Sequence, residues 1–201
     1  MHFLVPLDLP IIKRECFNRS YTVFSYFIAL TISDIPILLV TNFIYIFITY
    51  MMTDQPMDCF RFFALFTTTL LLSFAAQGLG LIAGSMLNVK FTLILGSFFI
   101  CPFVLFSNFF IHMKDTDDFF HFLFNLSFIK YAFEGSIQAI FGYERQKMHC
   151  DIDYCPFQLP HKFLEFLDVS ENLNAIMTKL LIFIFIFRLI AFTIMHLRLM
   201  R

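Results

Sequence analysis

Few residues in this sequence have a type and spacing that could carry out catalysis. The six His residues are scattered and form no metal-spaced cluster. Neither a G-x-S-x-G nor an H-E-x-x-H motif is present. No Gly is followed by Lys, so the phosphate-binding sequence G-x-x-x-x-G-K-[ST] is absent as well. We therefore expect no catalytic site, no bound cofactor and no metal ion in this chain, and no enzyme activity of its own.

Ionisable residues that interrupt apolar stretches are the next candidates. Lys130 and Glu134 are four residues apart, so they can pair on one face of a helix. A buried charge is tolerated when it is paired, which favours a structural ion pair. Sensing of protons or substrate is the alternative. Asp34 lies two residues before Pro36, which removes a backbone hydrogen bond from the helix. The side chain of Asp34 either satisfies the polar groups of that broken turn, or the two residues mark a hinge.

Two cysteines are close enough in sequence to be linked. Cys150 and Cys155 flank the sequence DIDY. In a loop on the non-cytoplasmic side of a membrane, this spacing suggests a small-loop disulfide. His149 and His161 lie nearby, and they leave zinc binding as a less favoured alternative.

Long apolar stretches must position these residues. Hydrophobic residues make up 59% of the 201 residues, and 32 residues are Phe. Soluble domains are only about half apolar, so we expect the lipid bilayer to be the solvent for much of this chain. A membrane-spanning helix needs roughly 20 mainly apolar residues. The stretches that qualify are residues 27–52, 62–86, 91–111 and 175–197.

A fifth apolar stretch, residues 119–141, is interrupted by polar and charged residues. This content suits a re-entrant helical hairpin better than a lipid-facing span. Basic residues near both ends of the chain, and acidic loops between spans, place both termini in the cytoplasm. Residues 142–174 then form an outer loop. The sequence therefore predicts an all-α polytopic membrane protein with four transmembrane helices and an exoplasmic re-entrant hairpin, in the plasma membrane or an endomembrane.

The first 25 residues predict a cytosolic amphipathic helix. At about 100° per residue, one arc carries four polar residues, Arg14, Glu15, Asn18 and Arg19. The opposite arc is apolar and includes Ile12 and Cys16. The helix could anchor to the membrane surface, or its polar arc could dock a cytosolic partner.

Several stretches in order resemble the membrane domain of the G subfamily of ABC transporters, the White-like and sterol-exporter half-transporters. They are KRECFNRSY, SDIPILL, AAQGLGLIAGSMLNV, PFVLFSNFFI and FIKYAFEGSIQAIFGYE. The family has six spans per half-transporter, and this chain is similar to the last four and the helix before them. The resemblance identifies residues 1–25 as the coupling helix, and residues 26–201 as part of the ABC type-2 transmembrane domain.

The resemblance also implies roles for individual residues. Arg14, Glu15, Asn18 and Arg19 would meet an ATP-binding domain. Phe109 and Phe110 take the place of paired apolar residues that form a valve between the inner cavity and the exit. Asn108 stands where the family often has Gly. Positions that would line the cavity are Ser97, Cys101 and Val104.

The resemblance leaves two hypotheses open. In the first, the chain belongs to an ATP-driven exporter of hydrophobic, lipid-like or sterol-like substrates. ATP and Mg²⁺ would bind to a nucleotide-binding domain outside this sequence, and a second half-transporter would complete a homodimer or heterodimer. In the second, the chain is a truncated, non-transporting membrane protein that pairs with full-length half-transporters and regulates them. The partners common to both are the lipid bilayer and another subunit, and we expect no nucleic acid.

Overall fold

The computed structural model describes most of the chain. The described residues are 11–16, 18, 20–53, 55–56, 58–86, 89–143, 145, 147–148, 158–169 and 171–200, with residues 89–95, 97 and 200 described by their backbone alone. Within these ranges the chain forms helices and no strand, which confirms the predicted all-α fold. The helices are α1 (residues 11–16), α2 (Val23–Met52), α3 (Cys59–Met86), α4 (Val89–Leu105), α5 (His121–Leu126), α6 (Phe128–Phe141), α7 (Pro160–Phe166) and α8 (Leu173–Met200).

Three of the described helices, α2, α3 and α8, are long and apolar enough to cross a membrane. Helix α2 begins after Thr22, whose side chain accepts a hydrogen bond from the amide of Ser25 and so caps the helix. The stretch predicted as a span at residues 91–111 instead forms α4, a helix of 17 residues that ends at Leu105. The prediction of four spans therefore stays a prediction, although the polytopic membrane fold is confirmed.

Helix α3 is the central element and packs against α2, α6 and α8. Small residues permit these close approaches. A Cβ atom added to Gly78 would lie 2.8 Å from the Cβ of Phe187 on α8. A Cβ atom added to Gly135 on α6 would lie 2.8 Å from Cγ2 of Thr68 and 3.1 Å from Cγ2 of Ile176. Glycine at these two positions therefore allows three helices to share one tightly packed core.

The two ends of this helical bundle have separate clusters of buried apolar residues. At the end near α1, Ile12 packs with Met195 and Leu199 of α8. At the opposite end, which we call the α6 end, Tyr50 packs with neighbours that include Ala139 of α6. The outward faces of the long helices expose large apolar side chains, and a bilayer is the environment that accommodates them.

The stretch predicted to be re-entrant, residues 119–141, contains two helices. A 3-10 turn at Asp118–Phe120 leads into α5, and Ser127 separates α5 from α6. The hydroxyl of Ser127 accepts a hydrogen bond from the amide of Lys130 (3.3 Å) and donates one to the carbonyl of Phe103 on α4 (2.7 Å). Ser127 thus caps α6 and ties the start of that helix to α4.

Candidate functional site

The N-terminal helix α1 places its apolar residue inward and its polar residues outward. Ile12 is 2% exposed, and it lies against the last turns of α8. Arg14, Glu15 and Asn18 are exposed, and Arg19 lies outside the described residues. Three of the four polar residues predicted on this arc are therefore accessible to a partner.

Glu15 is held by a tyrosine in the linker to α2. The hydroxyl of Tyr21 donates a hydrogen bond to Oε2 of Glu15 at 2.6 Å. Burial, together with this hydrogen bond and the negative charge of Glu15, raises the pKa of Tyr21 above its ordinary value. Tyr21 therefore stays a neutral donor, and it fixes the end of α1 to the start of the first long helix.

A polar network crosses the three long helices. Arg188 of α8 donates through Nη1 to the hydroxyl of Thr31 on α2 (3.0 Å) and through Nη2 to Oε1 of Gln77 on α3. Gln77 is 5% exposed, and its amide nitrogen donates to the carboxylate of Asp34 on α2. A carboxylate and a guanidinium inside membrane-spanning helices are thus connected through one buried amide.

Of these residues, Asp34 was a candidate from the sequence, whereas Gln77 and Arg188 were not predicted. The available signal was the presence of two opposite charges, Asp34 and Arg188, within apolar stretches long enough to span a membrane. Such residues almost always face the bundle interior and find a partner there.

A second polar layer lies between α6 and α8. Nζ of Lys130 is 3.8 Å from Oε1 of Glu134, and both residues are buried. The structure therefore places this predicted pair within ion-pair distance. Nζ of Lys179 on α8 bonds to Glu171 and lies 4.9 Å from the ring centroid of Tyr131 on α6. This cation–π contact adds a polar link between the two helices.

Asn108 turns the chain after α4. Its φ of 66° lies in the left-handed region, which Asn adopts more readily than most residues other than Gly. Its side chain is almost fully buried; Nδ2 donates to the carbonyl of Leu167 (2.8 Å), and Oδ1 accepts from the amide of Met113 (3.1 Å). Asn108 is therefore well suited to this turn, and it ties the residues after α4 to the segment after α7.

The two residues predicted to form a valve follow this turn. Phe109 is 58% exposed and Phe110 is 61% exposed, and their rings make an edge-to-face contact with centroids 4.9 Å apart. The ring of Phe109 also contacts Phe133 of α6, with centroids 5.6 Å apart. The pair thus presents free apolar surface beside α6, and its role as a valve stays a prediction.

The predicted cavity residues are only partly described. Cys101 is exposed and Val104 is half-buried, whereas the side chain of Ser97 lies outside the described part of the structure. A separate apolar cleft of about 260 Å³ lies at the α6 end between α2 and α3. Its lining consists of Phe43, Phe47, Tyr50, Met51, Asp58, Cys59, Phe62 and Phe63, so it does not coincide with the predicted cavity.

The cysteines and the side chains that could bind a metal ion are the last predicted groups. Cys150 and Cys155 lie outside the described residues, so the predicted disulfide stays a prediction. Three other cysteines, Cys16, Cys59 and Cys101, have free thiols. Among the residues that the structure describes, no group of His, Cys, Asp and Glu side chains could hold a metal ion.

Arg61 is a further buried charge, and its role was not predicted from the sequence. It lies in the first turn of α3, is 8% exposed, and donates hydrogen bonds to carbonyls at the C-terminal end of α6. Arg145 approaches the same end, and burial and the charge of Arg61 lower the pKa of Arg145.

Comparison with known proteins agrees with this architecture. The family model described as ABC-2 type transporter matches residues 1–141. Protein white of Ceratitis capitata is 30% identical over 129 residues, which cover 64% of this chain and 19% of that protein. The ABC transporter ATP-binding protein/permease wht-1 of Caenorhabditis elegans is 27% identical over 205 residues, which cover 97% of this chain and 30% of that protein.

A plant relative extends the comparison. ABC transporter G family member 22 of Arabidopsis thaliana is 27% identical over 191 residues, which cover 94% of this chain and 23% of that protein. The chain thus spans 19% to 30% of the length of these curated relatives. The family match covers residues 1–141, and the relatives are named White and ABC transporter G family member. This chain therefore belongs to the ABC-2 type transporters and represents membrane-domain sequence of their G subfamily.

Proposed function

We propose that this chain serves in an ATP-driven exporter of hydrophobic substrates of the lipid or sterol class. A nucleotide-binding domain outside this sequence would bind ATP and Mg²⁺ and supply the hydrolysis, since the sequence itself contains no G-x-x-x-x-G-K-[ST] motif. The name of the C. elegans relative, an ATP-binding protein and permease, supports this pairing. A second half-transporter, identical or different, would complete the transport unit.

The observation that carries the proposal is the position of α1. Its apolar side is packed on α8 through Ile12, and Arg14, Glu15 and Asn18 are exposed. Tyr21 connects Glu15 to the start of α2. A force applied to the exposed residues by a partner domain would therefore be transmitted directly to two membrane-spanning helices.

The proposed orientation places α1 and both termini in the cytoplasm, as the distribution of basic residues predicts. ATP binding would press α1 and close the inner cavity, which we propose includes Ser97, Cys101 and Val104. Substrate would then leave past Phe109 and Phe110. The exposed rings of this pair support a role in contact with an apolar substrate.

The test is the double substitution Arg14→Ala and Glu15→Ala in the complete transporter. We expect loss of substrate-stimulated ATP hydrolysis, with basal hydrolysis retained. The matched control is Lys162→Ala with Glu165→Ala, which removes an exposed Lys and Glu from α7, away from α1. Unchanged stimulation in the α1 variant would reject the coupling role, and equal loss in both variants would show an effect unrelated to α1.

The second candidate is a short chain that pairs with full-length half-transporters and regulates them. Immunodetection in native membranes separates the two candidates. A band near 23.7 kDa that co-purifies with a full-length relative and lowers its transport would support regulation. A much larger band that yields peptides of a nucleotide-binding domain would support the exporter.

A further inference from the structure

The C-terminal end of α6 is held by a buried arginine from another helix. Nη1 of Arg61 donates to the carbonyls of Ile140 (2.8 Å) and Gly142 (2.9 Å), and Nη2 donates to the carbonyl of Tyr143 (3.1 Å). Nε donates to the carboxylate of Asp58 at 3.0 Å. One planar guanidinium therefore joins the start of α3 to three carbonyls at the end of α6.

These carbonyls have a physical need for such a donor. The last carbonyls of a helix have no partner within the helix, and the C-terminal end carries partial negative charge. Arg145 also donates to the carbonyl of Ile140, at 3.2 Å, and to Oε1 of Gln55 at 2.9 Å. Hydrogen bonds from charged donors are stronger than neutral ones, so the end of α6 is firmly attached.

The same helix is attached to α3 along its length. Gly135 brings the α6 backbone against Thr68, at a distance that leaves no room for a Cβ atom. Ala139 is fully buried in a cluster with Ala64 and Leu65 of α3. Arg61 thus completes a packed seam in which α6 and the first half of α3 form one unit.

The opposite face of α6 contacts the segment that carries Phe109. Phe133 packs edge-to-face on Phe109. Nζ of Lys130 lies 3.4 Å from Sδ of Met113, whose amide is bound by Asn108. The position of α6 therefore determines where the rings that follow α4 can lie.

We propose that Arg61 is a positioning residue that makes α6 move with α3 and so sets the position of Phe109. Lys would keep the positive charge but would lack the fork that reaches three carbonyls. The attachment itself follows from the contacts described above. Its consequence for export, that the exit opens by a joint movement of α3 and α6, rests on the proposed function.

The first test measures position without measuring transport. The chain contains no Trp, so Phe109→Trp introduces a single Trp at the ring in question, and this Trp can be excited at wavelengths where Tyr does not absorb. In lipid nanodiscs, we expect Arg61→Met to shift the emission maximum of this Trp and Arg61→Lys to restore it only in part. Amide hydrogen exchange at residues 138–143 should become roughly tenfold faster or more in Arg61→Met, because several charged hydrogen bonds are lost.

Two controls separate positioning from general loss of stability. Arg198→Met also removes an arginine-to-carbonyl hydrogen bond, to Ser85 at the α1 end of the bundle, and it should leave both signals unchanged. Gly78→Ala strains the α3–α8 contact and should lower stability without moving the Trp emission. Unchanged emission and exchange in Arg61→Met would overturn the proposal.

The second test asks whether α3 and α6 move together during export. The pair used is Ala64→Cys and Ala139→Cys, because both positions carry small side chains in one buried cluster between α3 and α6, and thiol labelling verifies that oxidation forms the disulfide. In the complete transporter, we expect the oxidised and reduced forms to transport equally. Transport that is lost on oxidation and restored by reduction would reject the joint movement. A wild-type protein without transport would instead reject the proposed function and leave the nanodisc result valid.

Discussion

Arg188 on α8 donates a hydrogen bond to the side chain of Gln77 on α3, within two helices that are both long enough to span a membrane. Gln77 passes the connection on to Asp34 of α2. The amide is the right group for this position because its oxygen accepts from the cation and its nitrogen donates to the carboxylate.

Replacing Gln77 by Leu should destabilise the protein. The substitution leaves Asp34 and Arg188 without their shared partner in a region of low dielectric, and we expect a cost of about 1–3 kcal/mol. Thermal unfolding in detergent micelles measures it. The matched control is Gln138→Leu, since Oε1 of Gln138 is buried and has no hydrogen-bond partner within the described structure. Equal loss of stability in both variants would contradict the role of Gln77.

The charges of Asp34 and Arg188 should be energetically coupled. Arg188→Met removes the positive charge that Gln77 links to Asp34, and we expect a loss of about 1–3 kcal/mol. Adding Asp34→Leu to that variant should recover part of the loss. A double-mutant cycle of unfolding free energies gives the coupling directly. Additive losses from the two substitutions would show that the residues act independently.

Gly78→Ala should disrupt the contact between α3 and α8. The added Cβ atom would lie 2.8 Å from the Cβ of Phe187. That Cβ atom can move only if the backbone of α8 moves with it, so we expect the free energy of unfolding to fall by about 1–3 kcal/mol. Gly96→Ala is the control, because a Cβ atom at Gly96 meets nothing within 4 Å. That change should be neutral or stabilising by about 0.5–1 kcal/mol. Similar stability of the two variants would argue against close α3–α8 packing.

Substitutions of Asn108 should separate backbone conformation from hydrogen bonding. Asn108→Ala strains the left-handed backbone, at a cost of roughly 1–2 kcal/mol, and also removes both side-chain hydrogen bonds. Asn108→Gly removes the same hydrogen bonds without the strain, so it should retain more stability than the Ala variant. Chemical unfolding of the two variants measures the difference. A Gly variant that is no more stable than the Ala variant would contradict the importance of the φ of 66°.

The sequence was sufficient to predict the fold class, because apolar stretches with so much Phe have no other stable environment than a bilayer. It was less informative about where helices end. The apolar run continues through Phe109 and Phe110, which hides the turn that Asn108 makes after α4 has ended at Leu105. The start of α2 was also not predicted. Its N-cap, Thr22, lies within residues 1–25, which were predicted to be cytosolic.

The polar networks could be predicted only in part. Lys130 and Glu134 are close in sequence, so their pairing follows from helical geometry. Gln77 lies 43 residues from Asp34 and 111 residues from Arg188. Helices that are apolar on all sides give no periodic signal of which face points inward. The same limit applied to Arg61, whose three carbonyl partners are 79 to 82 residues away.

The network of Asp34, Gln77 and Arg188 also has a consequence for biosynthesis. The helices that carry Asp34 and Gln77 leave the ribosome well before the helix that carries Arg188. When α8 reaches the membrane, a carboxylate and an amide are already in place to receive its arginine, which lowers the cost of inserting that charge. Membrane insertion of α8 is thus the step that completes this network of three helices.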